Sequence, residues 1–232
     1  MKKILAVDSR IDKEILYNLS KINNDIILVA KNPAFEESVS AHPDMNFLQI
    51  RDVIFTYPST NVRGVNVKEI KPQAAGKLSY PDDVGLNAVC IGNDFICRKN
   101  SVSKQALEFA QNSGMNIIDV NQGYVKCNIA VVDEDAKAVI TEDVGIEKIL
   151  KQSGYDVLLL KNHDVSLAPY THGFIGGASG KVENVLLFTG DITKHGEYER
   201  ISAFCKKYGV EAVSLSKNQL YDYGSILTLE IK

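Results

Sequence analysis

Apolar positions along this chain follow one pattern that returns several times. In VSKQALEFAQNS (102–113), Val102, Ala106, Phe109 and Ala110 share one helical face, and Gly114 follows, where a left-handed glycine ends a helix. The next run, MNIIDV, is short and apolar and predicts a strand. The same order returns in GIEKILKQS (145–153), Gly154 and YDVLLL, and again in GEYERISAFCKKY (196–208), Gly209 and VEAVSL. DKEILYNLSKI (12–22), two asparagines and DIILVA make an N-terminal version. A short polar stretch closes each copy: AKN at 30–32, VNQ at 120–122, LKN at 160–162 and SKN at 216–218.

Two strand candidates precede each of the later helices. They are NAVCIGND with FICRKN, CNIAVVDED with AKAVITED, and GFIGGASG with VENVLLFTGD. The repeating unit is therefore strand, strand, helix, strand. MNFLQI and VIFTYP look like the two strands of a degenerate copy, but STNVRGVNVKEIKPQAAG is rich in turn formers and has no helical period, so 58–80 is left without an assignment. KKILAVDSR offers one strand before its helix, and GSILTLEIK has no helix after it. Together the two ends complete a fifth unit. Repeats of this length predict solenoids, propellers or closed arrays, and termini that share a unit favour a closed ring with no free edge. The expectation is one α/β domain over 1–232.

Composition narrows the class. The chain has 232 residues, is 45% hydrophobic and 24% charged, and carries 26 basic against 29 acidic residues for a net charge of -3. That is a soluble globular balance with no sign of nucleic-acid or acidic-membrane binding. MKKILAVDSR starts like a secretory leader, but Asp8 ends its apolar run after Val7, too soon for an h-region. No segment has the length of a membrane-spanning helix. Cys90, Cys97, Cys127 and Cys205 form no C-x-x-C pair, which predicts free thiols in a reducing cytoplasm. The four histidines have no zinc-ligand spacing, and no metal is expected.

YTHGFIGGASGK (170–181) places Gly173, Gly176, Gly177 and Gly180 around His172. It is not a Walker loop, since Lys181 is followed by Val182 and Ile175 stands where the first glycine belongs. Its place in the repeat makes it a first strand and hairpin, whose small residues leave room for a ligand or for close backbone approach.

The five-unit pattern resembles the pentein fold of the guanidino-group-modifying enzymes, an α/β propeller of five ββαβ units around a pseudo-fivefold axis. That superfamily includes arginine deiminases, dimethylarginine hydrolases, amidinotransferases, agmatine deiminases and a non-catalytic ribosome anti-association factor. The resemblance covers nearly the whole chain and rests on repeat architecture. It implies an active site on the axis, where first strands begin. There a cysteine attacks the guanidinium carbon, a histidine moves protons, and carboxylates hold the cation. It also implies a small-molecule ligand and no cofactor, and says nothing of oligomeric state.

Aligned at the starts of their first strands, the units bring Cys127 (GYVKCNIAVV) opposite His172 (PYTHGFIGGA), with Tyr223, His42, Asp82 and Asp83 near the same register. Cys127 follows Lys126, whose ammonium would lower a thiol pKa; the alternative is a small buried hydrophobe. His172 is the proton carrier or a hydrogen-bonded residue of a glycine-rich turn. Asp82 and Asp83 hold the cation or make a turn. His163 with Asp164 offers another His–Asp pair. His42 before Pro43 reads as a turn residue and His195 as surface, while Asp143 and Asp191 read as helix N-caps. Cys90 and Cys205 read as core. The sequence departs from the family in its last unit, where the nucleophile normally lies in a G-G-x-x-C context: YDYGSILTLEIK holds no cysteine, and Ser225 is nearest in chemistry. Two readings stand: cysteine–histidine chemistry on a guanidino or amidino compound with a relocated nucleophile, or a non-catalytic binding protein for a small molecule or a macromolecule.

Overall fold

The computed structural model describes residues 2–58, 60, 62, 64–72 and 76–232. Along the chain run β1 (Lys2–Asp8), α1 (Lys13–Ser20), β2 (Ile26–Val29), α2 (Pro43–Asn46), β3 (Phe47–Ile50), β4 (Val53–Thr56) and β5 (Val67–Glu69). Next come β6 (Val89–Ile91), β7 (Asp94–Cys97), α3 (Lys104–Asn112), β8 (Asn116–Asp119), α4 (Val125–Asn128), β9 (Ala130–Asp133), β10 (Ala138–Thr141), α5 (Val144–Gln152) and β11 (Asp156–Leu159). The chain finishes with β12 (Ser179–Val182), β13 (Val185–Phe188), α6 (Tyr198–Lys207), β14 (Glu211–Ser214) and β15 (Leu227–Ile231).

The described strands form five three-stranded sheets: β15-β1-β2, β3-β4-β5, β6-β7-β8, β9-β10-β11 and β12-β13-β14. In each, the first strand pairs antiparallel with the second, and the second pairs parallel with the third. A parallel step needs a crossover, and α1, α3, α5 and α6 supply it in four units. The fifth unit is assembled from both ends of the chain, with Lys2 opposite Ile231 and Ala6 opposite Leu227.

The repeat pattern read from the sequence corresponds to these elements. Gly114, Gly154 and Gly209 take φ of +69°, +84° and +67°, the left-handed stop that a side chain resists. Asp143 caps α5 through the Ile146 N–H at 2.8 Å, and Asp191 accepts from Thr193 N at 3.0 Å in a short 3-10 turn before α6. Ile146 and Leu150 of α5, and Ile201 and Cys205 of α6, are buried against their sheets. Of the unassigned stretch 58–80, the described residues hold β5 and no helix; Ser59, Asn61, Arg63 and residues 73–75 lie outside them.

Two expectations are corrected. Cys127 and Asn128 do not open a strand; they close the one-turn helix α4, and β9 begins at Ala130. GFIGGA is not a strand either, since β12 begins at Ser179. The cause is close packing: a Cβ on Gly176 would lie 2.5 Å from the Lys126 carbonyl oxygen and 2.6 Å from those of Cys127 and Ile129. The backbone of this stretch is pressed directly against α4, leaving no neighbouring strand for it to pair with.

The first strands converge. β12 touches β9 and β15, and β3 touches β6. One cavity of about 180 Å³ is lined by residues of all five first strands, among them Leu48, Val89, Val131, Gly180 and Thr228. Short turns lead into these strands: α2, the 3-10 turn Asp82–Val84 and α4. The candidate residues His42, Asp44, Asp83 and Cys127 sit on or beside those turns.

Candidate functional site

A second cavity, about 240 Å³, is walled by the segments that lead into the first strands. Val39, His42 and Met45 come from the approach to β3, Tyr124 and Cys127 from that to β9, Leu167 to Phe174 from that to β12, and Asp222 from that to β15. Cys127 and His172, which repeat alignment placed opposite each other, line this one cavity.

The floor is a buried polar network. Cys127 Sγ donates to Asp44 Oδ2 at 3.2 Å and accepts from Asn87 Nδ2 at 3.0 Å. Asn87 Oδ1 also accepts from the backbone N–H groups of Lys126 and Cys127, which holds α4 in place. The Ser225 hydroxyl lies 2.8 Å from Asp44 Oδ2 and 2.9 Å from the Gly176 carbonyl, and Lys126 Nζ donates to it at 3.0 Å. Asp222 accepts from Phe174 N at 3.0 Å and Gly224 N at 2.9 Å. His42 is buried between Asp222 (3.8 Å) and Asp8 (4.0 Å).

Burial sets the electrostatics. It pushes Asp222 up to about 6 against the opposing pull of His42, with Asp44 adding to the rise. Burial likewise pushes Glu142 up to about 7 and raises Asp83, whose Tyr124 hydrogen bond works the other way. The Cys127 thiol is raised well above its ordinary value, first by burial and then by Asp44 and Asp222. The expectation that Lys126 lowers this thiol is overturned: desolvation lowers Lys126 itself, and burial with two carboxylates raises the thiol.

Several buried polar atoms in and behind the cavity wall have no hydrogen-bond partner among the described residues: Asp44 Oδ1, Asp83 Oδ1, Glu142 Oε1 and His42 Nδ1. Three are carboxylate oxygens within 7%-exposed or more deeply buried residues, where an unmet acceptor is costly. Each carboxylate stands one side chain behind the wall. Asp44 touches Cys127, Asp83 accepts from Tyr124 OH at 2.9 Å, and Glu142 accepts from Ile175 N at 2.9 Å and lies 3.8 Å from His163. An aromatic run covers the mouth: His163 stacks on His172 at 4.3 Å, His172 meets Phe174 edge-on at 5.8 Å, and Phe174 stacks on Tyr124 at 6.2 Å.

The other sequence candidates disperse. Asp83 points inward, but Asp82 faces a separate cleft with Lys71, Lys99 and Lys104, because the 3-10 turn sends consecutive side chains apart. Asp164 turns away from His163 to accept from Gly196 N at 2.8 Å. Tyr223 lines another cavity, beside Asp12 and Tyr221. His195 is buried rather than surface, and its Nδ1 accepts from Glu197 N. His42 is both the N-cap of α2 and part of the cavity wall. Cys205 is buried core as read, and Cys90 is partly buried beside the first cavity. Asp44, Glu142 and Asp222 were not singled out from sequence. Asp222 is one residue from the chosen Tyr223 and Asp44 two from His42, so the register was sound while the inward position was not.

Three solved structures share this architecture. Dimethylarginine dimethylaminohydrolase from Pseudomonas aeruginosa, in complex with citrulline, superposes with a TM-score of 0.56 at 9% identity, over 92% of this chain and 91% of that one. Agmatine deiminase from C. jejuni gives 0.56 at 12%, over 99% and 93%. SxtG, an amidinotransferase from Microseira wollei, gives 0.51 at 12%, over 87% and 77%. The five sheets therefore define a pentein-superfamily fold. Within that class, the chain belongs to the family of unknown function DUF6873, which matches residues 6–227. No curated protein matches it in sequence.

Proposed function

We propose that the chain, as one domain over 1–232 with its five sheets closed in a ring, binds a small guanidino or amidino cation in the cavity of Cys127 and His172 and acts on it by cysteine–histidine chemistry. One observation carries this reading. The wall of a cavity that holds a thiol and an imidazole contains the buried carboxylate of Asp222, and behind that wall Asp44, Asp83 and Glu142 each keep an oxygen with no hydrogen-bond partner among the described residues. A planar cation rich in N–H donors suits the Asp222 carboxylate, and the three acids behind the wall add to the negative field that favours it. The architecture shared with dimethylarginine dimethylaminohydrolase, agmatine deiminase and an amidinotransferase supports the same ligand class. Pairing of β1 with β15 and convergence of the first strands support the ring.

The lining of one cavity by both Cys127 and His172 supports the following course. His172 Nδ1 lies 3.0 Å from the Gly173 carbonyl; donating there, it leaves Nε2 as the acceptor. His172 takes the Cys127 proton as sulfur bonds to the guanidinium carbon, and hands it to the departing amine as the C–N bond breaks. Water then attacks the thiouronium carbon and gives a proton to His172, which returns it to the released thiolate. A hydrolase makes a ureido compound this way; a transferase lets an amine replace the water. Cation binding assists the first step, because it offsets the Asp44 and Asp222 charges that hold the thiol protonated.

A second reading, binding without turnover, is favoured by the raised Cys127 pKa and by the absence of cysteine from the last unit. Incubation with guanidino compounds, followed by detection of ammonia and ureido product, separates the two. Product formation lost in Cys127→Ala supports the enzyme, saturable binding without product supports the binding protein, and neither overturns both. The free thiols and the small cavity fit a cytoplasmic protein with a small-molecule partner.

A further inference from the structure

Resting on that reading of the cavity, we infer that its cation carries no carboxylate: the ligand is an alkylguanidine or alkylamidine of the decarboxylated kind, not an amino acid.

The charges around the cavity are one-sided. Asp222 is in the wall, and Asp44, Asp83 and Glu142 stand behind it, each of these last three with a buried oxygen lacking a hydrogen-bond partner among the described residues. Exposed Glu36 adds a fifth carboxylate outside, where it accepts from the hydroxyl of the wall residue Tyr170 at 2.7 Å. Among the described residues, no lysine or arginine lines the cavity. The nearby cations are committed elsewhere. Arg10 is bound to Asp8 and to the Glu37 and Ser38 carbonyls, and it does not line the cavity. Lys126 donates to Ser225 and lines the other cavity.

The imidazoles do not replace them. His42 lies between Asp8 and Asp222, so any positive charge on it is already matched. His172 Nδ1 engages the Gly173 carbonyl, His163 stacks on one face of its ring, and Phe174 lies perpendicular to it. Val39, Met45 and Leu167 complete the wall and suit a hydrocarbon chain. An α-carboxylate brought into this space would lose water, meet like charges and find no donor cation, whereas a plain alkyl chain would not.

Agmatine and L-arginine test this directly, because they share guanidine and carbon chain and differ by the carboxylate. Isothermal titration of the full chain at neutral pH is expected to show agmatine binding at least tenfold tighter than arginine. The substitution Thr171→Trp, at an exposed wall position, is expected to weaken agmatine binding at least tenfold with an unchanged melting temperature. Arginine binding as tightly as agmatine, with both blocked by T171W, overturns the carboxylate-free ligand and leaves the guanidine site standing. Agmatine binding untouched by T171W places its site elsewhere and overturns the inference. Failure of both compounds to bind overturns the guanidine reading and this inference with it.

Discussion

Cys127 Sγ lies 3.2 Å from Asp44 Oδ2, a buried thiol donating to a buried carboxylate. The contact ties the candidate nucleophile to a group that opposes its ionisation. A nearby anion disfavours thiolate, and each unit of pKa is a tenfold change in thiolate population at a given pH.

Alkylation should therefore find Cys127 unreactive in the free protein near neutrality. Asp44→Asn keeps the shape and removes the charge, so it should raise the Cys127 alkylation rate at about pH 8 by roughly tenfold. A saturating guanidino cation should raise it in the same direction. Peptide mass spectrometry resolved by cysteine measures both. Equal rates in wild type and D44N would mean that Asp44 does not govern the thiol.

Cation binding should depend on pH in a definite direction. Asp222 at about 6 and Glu142 at about 7 are protonated in mildly acid solution and ionised above it. Affinity for a guanidinium should rise by about tenfold between about pH 5.5 and 7.5 as the two carboxylates acquire charge. Titration calorimetry across that range reads the slope, and a flat profile would remove both groups from cation binding.

Glu142 also makes a stability prediction. Its folded pKa is raised from 4.5 to about 7, so the folded chain holds this proton more tightly than the unfolded one. The contribution is fully present below pH 4.5 and is lost as pH rises through about 7. Glu142→Gln removes that loss. Urea unfolding should show the variant gaining stability on wild type between about pH 5 and 8, by up to about 3 kcal/mol. A pH-independent difference would show that the charge of Glu142 is not desolvated.

Gly176 should tolerate no side chain. The carbonyls of Lys126, Cys127 and Ile129 that an alanine Cβ would strike are backbone and cannot rotate away. Gly176→Ala should cost about 1–3 kcal/mol and displace α4, so that loss of ligand binding accompanies the fall in melting temperature. Gly92, with open space around its Cβ position, is the contrasting position: its φ of +56° still strains an alanine, but G92A should leave ligand binding intact.

The repeat was legible because it is written in local physics. Helical faces such as Val102, Ala106 and Ala110, left-handed glycines at 114, 154 and 209, and short apolar runs each specify their own element. That Cys127 and His172 come to one cavity follows the same repeats, which carry register as well as structure. The inward acids were harder to read. Asp82 and Asp83 are chemically alike in sequence, and only the 3-10 turn sends one toward Tyr124 and the other toward lysines.

The sequence by itself thus determined the units, their order and their completion by the two termini, because periodicity and capping act over a few residues. Tertiary structure alone decided which side chains meet. Asp44 and Ser225, 181 residues apart, share one hydrogen bond, and Cys127 and Asp44 share another across 83. It also decided the charge state of the site. A pKa follows desolvation and neighbouring charge, and here both are produced by distant segments packed around one cavity, which is why Lys126 beside Cys127 in the chain does not set the thiol's acidity.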